Sequence, residues 1–224
     1  MNNLPTVTKN LLIINVLCFL GMFVAERYGI DINHLLGLHF FLASDFNIGQ
    51  LVSYMFMHAN FSHIFFNMFA LWMFGRVLEQ VWGPKRFLTY YIVCGIGAGL
   101  IQELVWGMEY VFVWSNFASV DTGVGIISME GFLNELTTVG ASGAVYGILL
   151  AFGMLFPNSQ MFVFPIPMPI KAKYFVIGYA VLELFLGLGS SDGVAHFAHL
   201  GGMLFGLILI LYWRKKNGGG KIYY

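Results

Sequence analysis

Apolar residues come in long runs separated by short polar stretches. Six runs approach the length of a membrane-crossing helix: residues 10–25, 61–78, 87–104, 142–156, 174–188 and 195–213. A helix needs about 20 mostly apolar residues to cross a hydrocarbon core near 30 Å thick. The pattern therefore predicts one all-α, polytopic membrane domain over residues 1–224, with six spans. The fourth run is short. About 15 helical residues rise only about 22 Å, so this helix is expected to start part-way down, or to be carried by a loop dipping into the protein. Backbone that is not helical at that depth is tolerated only inside protein or beside water.

Composition strengthens this picture. The chain has 224 residues, 58% hydrophobic and 10% charged, with mean hydropathy +0.77. Soluble domains carry about 25% charged residues, so a soluble enzyme, a disordered tail and a basic nucleic-acid binder are excluded. Cys18 and Cys94 both lie in apolar runs and read as small buried hydrophobes rather than a disulfide. Residues 11–25 have no small-residue cleavage pattern after them, so a cleavable signal peptide is not expected. Residues 157–169 hold four prolines, and residues 217–224 read as a flexible tail.

The net charge is zero, but its halves are separated. Lys9, Arg76, Lys85, Arg86, Lys171, Lys173, Arg214, Lys215, Lys216 and Lys221 fall on one side of the six-span arrangement, and only Arg27 on the other. The positive-inside rule puts both termini in the cytoplasm. Connections 26–60 and 105–141 are then external. The second of these holds Glu109, Asp121, Glu130 and Glu135 with no Lys or Arg. Residues 36–46 are apolar but too short to span, and are expected to lie in the interface or re-enter. Residues 105–138, with Trp106, Tyr110, Phe112 and Trp114, also look interfacial.

Polar groups within apolar runs are costly and mark function by default. Gly140-Ala141-Ser142-Gly143-Ala144-Val145-Tyr146-Gly147 opens the fourth run. Its small residues suit either tight helix packing or a nucleophile with neighbouring amides aimed at an oxyanion. In the sixth run, His199, Gly202 and Gly206 share one stripe, and Gly202-x-x-x-Gly206 is a close-packing motif. His199 is then a general base, a structural histidine, or, with His196, a metal ligand. His63 and Asn67, spaced i and i+4, share a face as oxyanion donors or interhelical glue. Glu183 stands in the fifth run as a supporting group, a proton relay or a structural carboxylate.

Taken together these motifs resemble the rhomboid family of intramembrane serine proteases, over nearly the whole chain. G-A-S-G-A-V-Y-G is similar to the family's G-x-S-G nucleophile motif, A-H-L-G-G-x-x-x-G to its last-helix motif, and H-A-N-F-S-H-I-F-F-N to its H-x-x-x-N signature. The resemblance implies a six-helix rhomboid-like bundle of bacterial core type with a short fourth helix. It makes Ser142 the nucleophile and His199 the base, a pair with no acid. His63, Asn67 and the Ser142 amide become the oxyanion hole, Tyr146 packs on His199, and His58 holds the loop near the site. Gly140, Gly143, Gly202 and Gly206 support the constellation. No cofactor or metal is implied. Partners would be transmembrane protein substrates and the bilayer, not nucleic acid, with a bacterial cytoplasmic membrane as the expected location. The second and fifth spans would form the lateral gate.

Two departures from the family pattern stand out. Gly37-Leu38-His39-Phe40-Phe41 replaces a Trp-Arg pair, and the third connection is long. Two rival functions remain: a metal-dependent membrane hydrolase using the clustered histidines, and a rhomboid-like binder of transmembrane helices that does not cut.

Overall fold

The computed structural model describes residues 4–162, 168–189 and 193–216; the expected tail at 217–224 lies outside them. Helix α1 (Thr6–Glu26) leads through α2 (Ile32–Leu36), strand β1 (Leu38–His39) and α3 (Gln50–Ser53) to α4 (Phe61–Ala70). One π turn over Leu71–Gly75 joins α4 to α5 (Arg76–Phe112). Strands β2 (Ser119–Asp121) and β3 (Ile126–Ser128) pair as an antiparallel hairpin, followed by α6 (Met129–Glu135) and β4 (Thr137–Thr138). Helix α7 (Ser142–Leu155), the short hairpin β5 (Gln160–Met161) and β6 (Ile170–Lys171), α8 (Ala172–Gly189) and α9 (His196–Lys216) complete the order.

Four segments among the described residues are long and apolar enough to cross a membrane, not six: Thr6–Glu26, Phe61–Asn116, Ala172–Gly189 and His196–Lys216. The second and third expected spans fall within the single 56-residue segment Phe61–Asn116. Between Phe61 and Phe112 its helical path breaks at Gly83, whose φ of 76° and ψ of 165° are open to glycine and strained for other residues. Pro84 follows, where its missing N–H costs nothing at a helix start. The fourth run is the 14-residue α7, too short to span, as its length predicts.

Helices α5, α7 and α9 form the centre. Tyr90 and Tyr91 on α5 and Ile148 on α7 are fully buried there. The Tyr90 hydroxyl donates to the Gly147 carbonyl at 2.8 Å, and a methyl at Gly206 would overlap that hydroxyl. Both cysteines are free thiols; Cys94 is buried against Gly147, whereas Cys18, expected to be buried, is only half-buried. Glu79 ties α1 to the start of α5: its carboxylate accepts from the backbone N–H groups of Val7 and Thr8 at 2.9 and 2.7 Å, and from the Thr8 hydroxyl at 2.8 Å.

Within residues 36–46, Leu38, His39 and Phe40 are fully buried in the protein, while Phe41 and Leu42 are 49% and 47% exposed. Strand β1 pairs with β4, Leu38 opposite Thr138. Phe40 packs among Ala43, Trp106 and Leu133. Residues 105–112, expected in a connection, continue α5 for two more turns, because Trp106 and Glu103 pack onto this loop. The Phe41 N–H donates to Glu103 at 2.8 Å. At the tip of the β2–β3 hairpin Val124 is 98% exposed.

Candidate active site

Ser142 opens α7 because the chain turns into the bundle just before it. The Gly140 N–H donates to the Tyr54 carbonyl at 2.9 Å, and Gly140 has a φ of 136°. A Cβ at Gly140 would lie 2.8 Å from Cε1 and Nε2 of His63, so only glycine lets that ring reach the approach to Ser142. A Cβ at Gly143 would overlap that of Ala98 on α5. At Gly202 it would overlap the Gly143 carbonyl oxygen. Gly143, Gly202 and Gly206 thus line the contacts that bring α7, α9 and α5 together, and Gly140 makes room for His63 on α4.

That approach places His199 beside Ser142. Its Nε2 lies 2.8 Å from Ser142 Oγ, 57 residues away in sequence. The Tyr146 ring stacks on the His199 ring with centroids 4.2 Å apart and planes within 6°. His199 Nδ1 lies 2.9 Å from Glu183 Oε2, and His196 Nδ1 lies 2.7 Å from the same oxygen. The Tyr146 hydroxyl donates to Glu183 Oε1. Glu183, His196 and His199 are all buried. They form the one group of three or more His, Cys, Asp or Glu side chains, among the described residues, whose ligand atoms all lie within 4.8 Å of one another.

The remaining expected residues are arranged less directly. Asn60 caps α4 by accepting from the His63 N–H at 2.9 Å, which starts the helix where His63 faces Gly140. The His63 Nδ1 lies 3.4 Å from the Ala59 N–H, and its ring sits 5.1 Å from that of His58. Asn67 uses one amide N–H within its own helix, donating to the His63 carbonyl at 2.9 Å. His58 is fully buried. Burial first, then the neighbouring His63, pushes its pKa down to about 4, so its imidazole is neutral at pH 7. The His58 carbonyl accepts from the Asn33 side chain at 3.3 Å, a link to α2. A cleft of about 660 Å³ opens beside this link between the end of α1 and the start of α4, lined by Phe19, Asp31, Asn33 and Asn60. Ser142 and His199 are not part of it.

Sequence reasoning missed the partners of Glu183. It singled out the carboxylate as an isolated group and read the site without an acid. The available signal was the His196-x-x-His199 spacing, which puts two imidazoles on one side of α9, facing whatever helix packs there.

Residues 45–216 match the Rhomboid domain family. The chain belongs to the rhomboid family. It is 32% identical over 163 residues to rhomboid protease AarA of Providencia stuartii, covering 70% of this chain and 53% of that protein. It is 29% identical over 169 residues to rhomboid protein 1, mitochondrial, of Saccharomyces cerevisiae, covering 74% and 42%. The human presenilin-associated rhomboid-like protein, mitochondrial, is 27% identical over 181 residues, covering 75% and 40%. The matched stretches thus span about half or less of these relatives' length. The fold is accordingly the rhomboid fold of a polytopic membrane protein.

Proposed function

We propose that this rhomboid is a serine endopeptidase that cuts transmembrane segments of membrane proteins near the external face, within a six-helix bacterial-type core. The observation that carries the reading is the 2.8 Å contact between Ser142 Oγ and His199 Nε2. In this reading His199 Nε2 takes the Ser142 hydroxyl proton as Oγ bonds to the scissile carbonyl carbon. The carbonyl electron pair moves onto oxygen. The Ser142 N–H, in the first turn of α7 where amides lack intrahelical partners, faces that oxygen with His63 and Asn67. Collapse of the intermediate breaks the C–N bond, and the departing amine takes the proton from Nε2. Water, deprotonated by the same nitrogen, then releases the acyl group. No cofactor enters this scheme. Both termini face the cytoplasm and α7 opens toward the outside, so water and the unwound edge of a substrate helix meet at Ser142.

The group Glu183, His196 and His199 favours a second reading, a metal-dependent hydrolase. One carboxylate and two imidazoles are a suitable donor set for zinc. Their Oε2–Nδ1 separations of 2.7 and 2.9 Å are those of direct hydrogen bonds. Tetrahedral zinc with bonds of about 2.0–2.2 Å holds its ligand atoms about 3.3 Å apart, so metal entry would require the three side chains to spread.

One experiment separates the readings. Wild type and Ser142→Ala are reconstituted in liposomes with a fluorogenic transmembrane substrate, with and without chelator. The serine reading expects Ser142→Ala to lose essentially all turnover, a fluorophosphonate to label Ser142, and chelator to have no effect. Equal cleavage by the variant, or activity lost to chelator and restored by Zn²⁺, selects the metal reading.

A further inference from the structure

We infer that Glu183 is a positioning acid that converts the Ser142–His199 pair into a three-membered relay, by holding His199 in the tautomer that can accept the serine proton. The inference rests on the serine reading above.

Oε2 of Glu183 faces two ring nitrogens, His199 Nδ1 at 2.9 Å and His196 Nδ1 at 2.7 Å, while Oε1 faces the Tyr146 hydroxyl. An ionised carboxylate only accepts, and a neutral imidazole donates from one nitrogen and accepts at the other. Facing the carboxylate, His199 carries its proton on Nδ1. Its Nε2 lone pair is then directed at Ser142 Oγ, 2.8 Å away. When Nε2 takes the serine proton, the positive charge on the ring appears beside a buried carboxylate, where attraction is much stronger than in water. Glu183 itself neither gains nor loses a proton.

The same carboxylate fixes the ring's plane. Tyr146 stacks flat on His199 and is held through its hydroxyl by Oε1, so both rings are anchored to one side chain. His196, one turn earlier on α9, holds the carboxylate from a third direction. The carrier helix argues against a packing role. Helix α8 buries only Ala172, Val176 and Glu183, and a buried charge serves packing no better than an apolar residue of similar volume.

The test compares wild type, Glu183→Gln, Glu183→Asp and Ser142→Ala in liposomes, measuring kcat and KM separately and thermal unfolding in detergent. The Gln amide can present an N–H to His199 Nδ1 and favour the opposite tautomer. A wrong tautomer of this kind lowers turnover by up to about 10⁴-fold in a serine protease triad. The expected result is a fall in kcat of about 10²- to 10⁴-fold for Glu183→Gln, with KM within about threefold of wild type and fluorophosphonate labelling of Ser142 slowed in parallel. Glu183→Asp, which restores the anion, should recover at least about tenfold over Gln. A folded Glu183→Gln with near-wild-type kcat, a change confined to KM, or an Asp variant no better than Gln overturns the inference. Should Glu183→Gln not fold, ¹⁵N-histidine NMR of the wild type still decides: a proton on His199 Nδ1 supports the inference, and one on Nε2 overturns it. A dead Ser142→Ala beside an active Glu183→Gln sinks this inference alone, whereas an active Ser142→Ala sinks the serine reading beneath it.

Discussion

A methyl group added at Gly202 would overlap the carbonyl oxygen of Gly143, a backbone atom with no rotamer to move aside. Helix α9 would have to retreat from α7, and the His199–Ser142 contact would lengthen with it. Overpacking of a tight core costs typically about 1–3 kcal/mol. Gly202→Ala is therefore expected to lower thermal stability in detergent by that order and to reduce turnover beyond what the fold loses. Unchanged unfolding and turnover would show that α9 has slack at this position. At this scale much of the site was legible. Ser142, His199, Tyr146 and the glycines stand in short motifs that resemble those of the rhomboid family, each confined to a few consecutive residues at one helix start. Asn67 was less so: the same spacing that pairs it with His63 also lets its amide bond to its own helix backbone.

Among the elements, α1 depends on a single carboxylate. Glu79 is 4% exposed and accepts from two backbone N–H groups and one hydroxyl at the start of α1. Each hydrogen bond to a charged group is worth about 1.5–3 kcal/mol, and unpaired buried donors carry their own penalty. Glu79→Ala should destabilise the protein by at least about 2 kcal/mol in a denaturant titration and expose the start of α1 to protease. Wild-type resistance would mean that α1 is held by its apolar face alone. Helix positions followed from the apolar runs to within a few residues at most ends. The exception is residues 105–112, where α5 continues because Trp106 and Glu103 meet the chain around Phe40 and Phe41. That contact joins residues about 62 apart in sequence, which a local pattern does not carry. Burial of Leu38–Phe40 has the same cause. A two-residue strand has no signature of its own, and only its partner at Thr137–Thr138 makes it one.

Across the whole molecule the charges sort by end. Lys9, Arg76, Lys85, Arg86, Lys171, Lys173 and Arg214–Lys216 gather at the end of the bundle where α1 starts, Gly83 bends the chain and α9 finishes. Arg27 lies with Ser142 and the β2–β3 hairpin at the other end. If the basic end faces the cytoplasm, then in a variant lacking Cys18 and Cys94, a cysteine at Val124 should react with an impermeant maleimide in intact cells. One at Lys85 should react only after permeabilisation. Both side chains are exposed, so reactivity reports sidedness. The reverse pattern would invert the topology and move Ser142 to the inner face.

From sequence alone came the membrane class, the charge separation, the short α7 and the identities of the serine, the histidine and the glycines between them. The first three are matters of composition and run length along the chain; the serine, the histidine and the glycines were singled out by motifs that resemble those of the rhomboid family. Tertiary structure decided that α4 and α5 form one long path broken at Gly83, that the loop at Leu38–Phe40 is core, and that Glu183 faces His199. Glu183 and His199 stand on different helices. Their meeting depends on how α8 and α9 are rotated against one another, and that rotation is set by packing across the whole bundle.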